Sequence, residues 1–384
     1  MAAAPDTAIE QTIPAASARW DNGALRQLVK AIEQADREGL DPQAYNLAAL
    51  RSSLNDGPGA TRDILAEAAA LRLANDYYFG RVTDRAVMQW MITRPDYERA
   101  QLPERLHRAL AGGEIDRFYA SLLPDNKRYE ALREALASES DPALRDRIRV
   151  NMERWRWMPR TISEDHIYVN VPSYRLDVVE GGTVLSSYDV VVGAKATPTP
   201  LMVSPANSLV VNPPWYVPAS IVKSSNIKAG RGGYYAKPLA GGGYAVVQPP
   251  GPRNALGRIK VNLVNDQAIF LHDTPAKSAF KRDARALSHG CIRVSDIDRL
   301  ASELMAREGG DAMALEEALS GSSTRQLPLP RQWPVYLVYF TMDLDADGAL
   351  VSYPDPYDYD AAMLARLGST QPLGGGMTVA SLRR

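Results

Sequence analysis

The chain has 384 residues, 45% hydrophobic and 23% charged, with 44 basic residues set against 45 acidic ones. That length exceeds one ordinary core and predicts two or three domains, and the composition is that of a soluble globular protein. A formal net charge of -1 argues against a generally basic, nucleic-acid-binding surface, no apolar run is long enough to span a bilayer, and a single cysteine leaves no intramolecular disulfide.

Residues 1–19 lack the basic and apolar regions of a secretory signal, and they read as a disordered lead-in or as the start left after an export signal is removed. DNGALRQLVKAIEQADREG then puts Leu25, Leu28, Val29 and Ile32 on one helical face and stops at Gly39. Asp41-Pro42 opens a second short helix, NDGPG (55–59) is a turn, and Thr61 is the expected N-cap of a long helix through TRDILAEAAALRLANDYYFG. Further short helices follow, and Asp141-Pro142 starts one that Pro159 ends. Residues 20–150 are thus expected to form an all-α domain.

Near residue 160 the period changes from helical to alternating. HIYVNVPSYRLDVVE and TVLSSYDVVVG, joined at Gly181-Gly182, read as strands in a tight hairpin. Residues 195–257 are rich in Pro and Gly and too long for a bare connector, so a lid or subdomain is expected there, centred on about 216–250. RIKVNLV and QAIFLH resume strand character. Ser295 with Asp298 suggests a capping box before IDRLASELM, and VYLVYFTMDLDADGALVSY suggests a closing hairpin. The fold class is α+β: an all-α N-terminal domain, a mainly β domain over 151–350, and a C-terminal extension over 351–384. Asp343, Asp345 and Asp347 mimic half of an EF-hand loop, but position twelve is Pro354 and the flanks are strands, so a turn at Asp347-Gly348 is the better account. The glycines of KAGRGGYY and LAGGGY lack the ending and context of a phosphate loop.

The lone thiol, Cys291, sits in LSHGCIRVS (287–295). A free cysteine is by default a small buried hydrophobe. Gly290 permits close backbone approach, however, and His289 and Arg293 offer a base and a cation that favour thiolate. A nucleophilic thiol needs a base within reach. His107 reads as a surface or packing residue of the helical domain and His166 as incidental to a strand, which leaves His289, two residues away, and His272 at the end of QAIFLH. Spacing alone does not choose between them. His272, His289 and Cys291 could also be three zinc ligands, but no paired CxxC or HExxH spacing accompanies them.

FLHDTP (270–275) and SHGCIRVS (288–295), with fifteen residues between His272 and Ser288, resemble the signature of the L,D-transpeptidases, whose catalytic domain is of the YkuD type. ERWRWMPR, VGAKATPTP, NPPWYVPASI, PGPRNALG and YFTMDLDADG are similar to its larger, YcbB-like branch, and the N-terminal helices resemble that branch's scaffold domain. The helix from Asp141 runs directly into the catalytic domain, leaving no room for the peptidoglycan-binding module that the branch usually carries between the two.

The resemblance implies Cys291 as nucleophile and His272 as general base, oriented by the backbone carbonyl of Asp273. It makes His289 a supporting residue, gives the amides around Gly290 and Cys291 to an oxyanion hole, and lets Arg293 hold a stem-peptide carboxylate. Ser288, Asn254, Trp215 and Tyr216 would lie along the donor groove. The implied reaction joins peptidoglycan tetrapeptide stems by 3→3 crosslinks with loss of D-alanine, without metal or cofactor, in the periplasm, with carbapenem-type β-lactams as inhibitors. An L,D-carboxypeptidase or an amidase would use the same residues. A non-catalytic wall-binding scaffold is the rival from another class, and the intact His272/Cys291 pair argues against it.

Overall fold

The computed structural model describes residues 20–94, 97–307 and 309–368, so the lead-in 1–19 and the end of the C-terminal extension lie outside the described residues. The described residues form two compact units: one of 20–81 and 97–124, the other of 82–94 and 125–368.

The first unit is helical, with α1 (Asn22–Glu33), α2 (Leu47–Asp56), α3 (Ala60–Phe79), α4 (Tyr97–Gly112) and α5 (Ile115–Ala120). The expected stripe of Leu25, Leu28, Val29 and Ile32 enters its core beside Trp20, Tyr45 and Leu73. Asp21 caps α1 by accepting from the Ala24 amide at 2.8 Å, and Gly39 ends the following turn in the left-handed region at φ 74°. Thr61 is not a cap. The helix begins a residue earlier, at Ala60 after Gly59, with no side-chain cap, so Thr61 lies inside the first turn.

The second unit begins, after the 82–94 segment, with α6 (Lys127–Ser138) and α7 (Pro142–Trp157). There follow β1 (His166–Asn170), β2 (Arg175–Glu180), β3 (Thr183–Gly193), β4 (Met202–Val211), β5 (Trp215–Tyr216), α8 (Ala219–Ser224), β6 (Tyr235–Pro238), β7 (Tyr244–Gln248), β8 (Ile259–Leu263) and β9 (Phe270–His272). The chain continues through β10 (Ala286–Ser288), β11 (Ile292–Val294), α9 (Ile297–Met305), α10 (Ala312–Ser320), β12 (Arg325–Val338), β13 (Met342–Leu344), β14 (Leu350–Ser352) and α11 (Tyr359–Gly368).

Nine strands form one sheet in the order β10-β3-β11-β9-β8-β4-β12-β1-β2, and β2 also pairs with β3, so the pairing closes on itself. Its strands turn Ile167, Val169, Val190, Val192, Val261, Val335 and Leu337 into a fully buried interior. Gly181 and Gly182, both at positive φ, make the predicted tight turn between β2 and β3. The second hairpin, β13–β14, turns at Asp345–Gly348, where the Asp345 carboxylate accepts from the amides of Asp347 and Ala349.

Three expectations change. The Pro/Gly-rich stretch 195–257 is not all lid: β4 is a central strand between β8 and β12, its alternation masked in the sequence by Pro205 and Asn207. The rest of the stretch holds a separate small sheet, β5-β7-β6, with α8 between β5 and β6. The capping box at Ser295 and Asp298 does not form, because the Ser295 amide is still bound to the Asp189 carbonyl as strand backbone and α9 starts only at Ile297. Finally, α6 and α7 lie in the same compact unit as the sheet, which places the change of unit at 124/125 rather than at 150.

The reason is the burial of α7. Its Trp155 stacks on Phe340 at 4.8 Å, and Asn151, Glu153, Arg154 and Arg156 are all essentially fully buried. Each buried charge on it has a partner: Glu153 with Arg156 at 3.0 Å, and Arg154 with Asp360 at 2.7 Å. Charges in such positions persist only when paired, so this helix is committed to one surrounding.

Candidate active site

The site lies where β9 is flanked by β8 and β11. β9 runs antiparallel to β8 with Lys260 opposite His272, and parallel to β11 with Arg293 opposite His272. Directly opposed residues share a face of a sheet. Lys260, His272 and Arg293 therefore form a row across three strands, with Phe270, two residues before His272, on the same face. The Lys260 ammonium lies over the Phe270 ring, 4.2 Å from its centroid, and the Phe270 and His272 rings meet edge to face at 5.5 Å.

Cys291 sits in a bend immediately before β11, one residue ahead of Ile292, which pairs with Leu271. The thiol comes within 3.5 Å of the Ala268 carbonyl and is half-buried. Burial pushes its pKa up to about 11, against the opposing pull of the Phe270 backbone and of the Lys260 and Arg293 cations. His272 is 5% exposed, and its Nδ1–H donates to the Asp273 carbonyl at 2.5 Å. Burial, reinforced by Arg293, drives its pKa down to about 3. Both groups are therefore neutral at rest, and because the Asp273 carbonyl claims the proton on Nδ1, the free lone pair is on Nε2.

Asp273 itself is clasped. Its carboxylate accepts from the Arg258 amide at 2.8 Å and pairs with Lys277 at 2.5 Å. Gly257, at φ 61°, makes room for it, since a Cβ there would come within 2.2 Å of the Asp273 carboxylate.

The SHGC turn is fixed by Ser288, which donates to the Cys291 carbonyl at 2.6 Å and accepts from the Gly290 amide at 3.1 Å. Gly290 is at φ 111°, and its carbonyl accepts from Thr199 Oγ1 at 2.8 Å. Thr199 in turn is tied through the Tyr357 hydroxyl, which accepts from the Thr199 amide and donates to the Gly193 carbonyl. Sequence reasoning did not single out Thr199 or Tyr357. They are joined to the turn only by tertiary bonds, and no local pattern announces them.

The other candidates divide. Ser288 is buried and spent on the turn, so it does not face a substrate groove. Gly290's amide is engaged by Ser288 and is not an open oxyanion donor. Asn254 is also buried, with Nδ2 bonded to the carbonyls of Pro213, Gln248 and Pro249 and Oδ1 accepting from Leu256, which makes it a pin between the small sheet and the strand after it. Trp215 and Tyr216 form β5 of the small sheet, where Tyr216 is 47% exposed and bonded to Lys237. His289 is exposed and does not share an extended strand face with Cys291, because the positive φ of Gly290 intervenes. It instead lines a groove of about 650 Å³ with Gly290, Thr197, Gln267, Gln89 and Trp90.

His107 bonds Glu67 in the first unit and His166 bonds the Ser163 carbonyl on β1, so neither belongs here. Among the described residues no three His, Cys, Asp or Glu side chains gather as metal ligands. Lys260 was missed. The alternation of RIKVNLV sets it opposite to Ile259 and Val261, but only the strand register brings it beside His272.

Comparison with known proteins gives two domain matches. Residues 164–312 match the YkuD L,D-transpeptidase catalytic domain, and residues 17–136 match the Scaffold domain. A Haemophilus influenzae protein, whose curated name places it provisionally among the L,D-transpeptidases, is 28% identical over 373 residues, covering 88% of this chain and 75% of its own. A solved L,D-transpeptidase from Mycobacterium smegmatis shows 15% identity over 45% of this chain and 58% of its own, with a TM-score of 0.24. A second solved structure, an avibactam carbamoyl enzyme, shows 14% identity over 47% of this chain and 51% of its own, with a TM-score of 0.22. The chain thus spans little more than half the length of these two, and at such scores neither superposition bears on its site.

Proposed function

We propose that the chain, whose residues 164–312 match the YkuD L,D-transpeptidase catalytic domain and residues 17–136 the Scaffold domain, acts as an L,D-transpeptidase that forms 3→3 peptidoglycan crosslinks through an acyl-enzyme on Cys291. The observation that carries this reading is a neutral imidazole, held by the Asp273 carbonyl at 2.5 Å, on the strand beside the cysteine turn. In the first step Cys291 Sγ bonds to the carbonyl carbon of the meso-diaminopimelate–D-alanine linkage. His272 takes the thiol proton as Sγ attacks and delivers it to the departing nitrogen; the C–N bond breaks, D-alanine leaves and a thioester remains.

In the second step an amine of a neighbouring stem attacks the thioester and gives its proton to His272. The C–S bond breaks, the thiol is restored and the crosslink is complete. Because both groups start neutral, proton transfer and attack have to proceed together. Lys260 and Arg293 supply positive potential for the charge that develops, a role in which the Gly290 amide, already bonded to Ser288, has little part. Arg293 also suits the terminal carboxylate of a stem peptide. The lid favours the amine over water as the second nucleophile. Such a substrate lies outside the cytoplasm, so the protein works in the periplasm, and carbapenem-type β-lactams acylate the same sulfur.

Incubation with tetrapeptide muropeptides, followed by mass spectrometry, tests this. Crosslinked dimers with released D-alanine are expected. Free tripeptide alone would replace transfer by hydrolysis, and an unchanged substrate with unmodified Cys291 would leave a non-catalytic scaffold.

A further inference from the structure

The loop 193–199 grips the SHGC turn by its carbonyls. Ser288 O accepts from the Ala194 amide at 2.8 Å and from Thr197 Oγ1 at 3.0 Å, and Gly290 O accepts from Thr199 Oγ1 at 2.8 Å. The last of these bonds bears on the nucleophile. Gly290 C=O and Cys291 N–H belong to one planar, trans peptide unit, so they point in opposite directions. Fixing the carbonyl at Thr199 therefore fixes where the Cys291 amide points. That amide meets no acceptor among the described residues, whereas the neighbouring Gly290 amide is taken by Ser288. It is the donor of the turn that stays open for an oxyanion.

Thr199 is fully buried, and its hydroxyl accepts from the Gly193 amide at 2.9 Å while it donates to Gly290, so its direction is set. Its backbone is held by the Tyr357 hydroxyl, which accepts from the Thr199 amide at 3.1 Å and donates to the Gly193 carbonyl at 2.8 Å. Gly193 allows this closeness, since a Cβ there would come within 2.3 Å of the Thr197 carbonyl. Burial pushes the Tyr357 pKa up to about 12, so the hydroxyl keeps the proton that it donates. Tyr357 is placed in turn by Tyr339, whose hydroxyl accepts from the Tyr357 amide at 3.0 Å and donates to Asp355. The Asp355 carboxylate also accepts from the Tyr359 and Asp360 amides at the start of α11. Valine and phenylalanine would fill the places of Thr199 and Tyr357 equally well. Their hydroxyls serve a chain of directed bonds that ends on the peptide of the nucleophile.

We propose that Thr199 and Tyr357 are positioning residues of the acylation step, which aim the Cys291 amide at the carbonyl oxygen that becomes negative as Sγ adds. This rests on the reading of Cys291 as the acylated nucleophile. It carries that reading past residues 164–312, the stretch that matches the catalytic domain, because Tyr357 lies beyond the match. With a β-lactam as acyl donor, the Sγ–C bond forms as the C=O electron pair moves to oxygen. The pair returns as the ring C–N bond breaks, and the nitrogen takes the thiol proton by way of His272. The oxyanion exists only between these two events. A misdirected amide therefore slows the reaction without weakening the binding that precedes it.

The test uses the full chain as wild type, Thr199→Val, Tyr357→Phe and the conservative Thr199→Ser. Each is reacted with a carbapenem and, separately, with iodoacetamide, and the mass added at Cys291 is followed in time. Acylation by the carbapenem passes through an oxyanion, whereas alkylation displaces iodide from a saturated carbon and passes through none. Thr199→Val is expected to lower the maximal acylation rate about tenfold with little change in the half-saturating concentration, and Tyr357→Phe to lower it about threefold. Thr199→Ser, which keeps the hydroxyl, is expected to stay near the wild-type rate, and alkylation to be unchanged throughout. Tyr357→Phe retains the Thr199 hydroxyl and carries the test by itself if Thr199→Val does not fold. Wild-type acylation in the folded variants overturns the proposal. So does an equal loss of acylation and alkylation, which would mean that the thiol has been displaced rather than the amide misdirected. A wild type that iodoacetamide alkylates but the carbapenem leaves unmodified brings down the acyl-enzyme reading, and the aiming role with it.

Discussion

Cys291 and His272 are pushed in opposite directions by one cause. Burial penalises whichever form is charged, so it raises the thiol and lowers the imidazole. Arg293 and Lys260 favour the thiolate and oppose the imidazolium, which deepens the depression of His272 and partly relieves Cys291. A cysteine–histidine pair poised as thiolate and imidazolium would behave differently from this one. Here the base is active whenever it is unprotonated, which holds above about pH 3, and the thiol keeps its proton until about pH 11. The rate of β-lactam adduct formation on Cys291, followed by mass spectrometry, should therefore be nearly flat from about pH 5 to 9 and fall only as acid approaches the low pKa of His272. A bell centred near neutrality, with limbs between pH 5 and 8, would contradict the neutral pair.

At the scale of elements, the base depends on a clasp between two loops. The Asp273 carbonyl orients His272, the Asp273 carboxylate is held by the Arg258 amide and Lys277, and all of it closes over Gly257. Gly257→Ala has nowhere to put its methyl group and must also hold an unfavourable positive φ. It should cost about 2–4 kcal/mol of stability. It should also slow acylation about tenfold by shifting the carbonyl that fixes the tautomer, a loss of the size expected for a misplaced base. Urea unfolding and adduct kinetics on the same preparation check both, and an alanine variant with native kinetics would show that the clasp does not position His272.

The clasp also marks how far the sequence could be followed. Cys291, the strands around it and the paired glycines of the β2–β3 turn were legible because each depends on local spacing or local backbone. His272 and His289 stayed level until a family resemblance separated them, because pairing between β9 and β11 joins residues about twenty apart and no local pattern encodes it. Lys260 reaches the site through the same register, and Ser288 and Asn254 carry polar side chains whose inward bonds cannot be read from residue type. The cap at Thr61 and the box at Ser295 failed for a smaller reason: cap-like residues were present, but the cap position fell two residues earlier in one case, at Gly59, and one later in the other, at Asp296.

For the molecule as a whole, the compact unit that holds the site begins well before its first strand. The 82–94 segment belongs to it: Trp90 pairs with Leu201, Trp90 meets Trp157 edge to face at 5.1 Å, and the Val82 amide donates to the buried Glu153 at 2.7 Å. Trp90 also walls the groove that His289 and Gly290 open. A fragment cut at 151, where the change in period suggests a domain boundary, would sever α7 and strip away Ile148 and Val150, which are buried, along with the cover over Trp157. It would also deprive Glu153 of one of its buried donors. Residues 151–368 alone should therefore lack near-ultraviolet circular dichroism and a cooperative melt. In the full chain, Trp90→Ala should cost about 3 kcal/mol, the usual loss for a large aromatic truncated in a core, with the urea midpoint as the measure. A 151–368 fragment that melts sharply and forms the Cys291 adduct at the full-chain rate would show the 82–94 segment to be an ornament of the fold rather than a part of it.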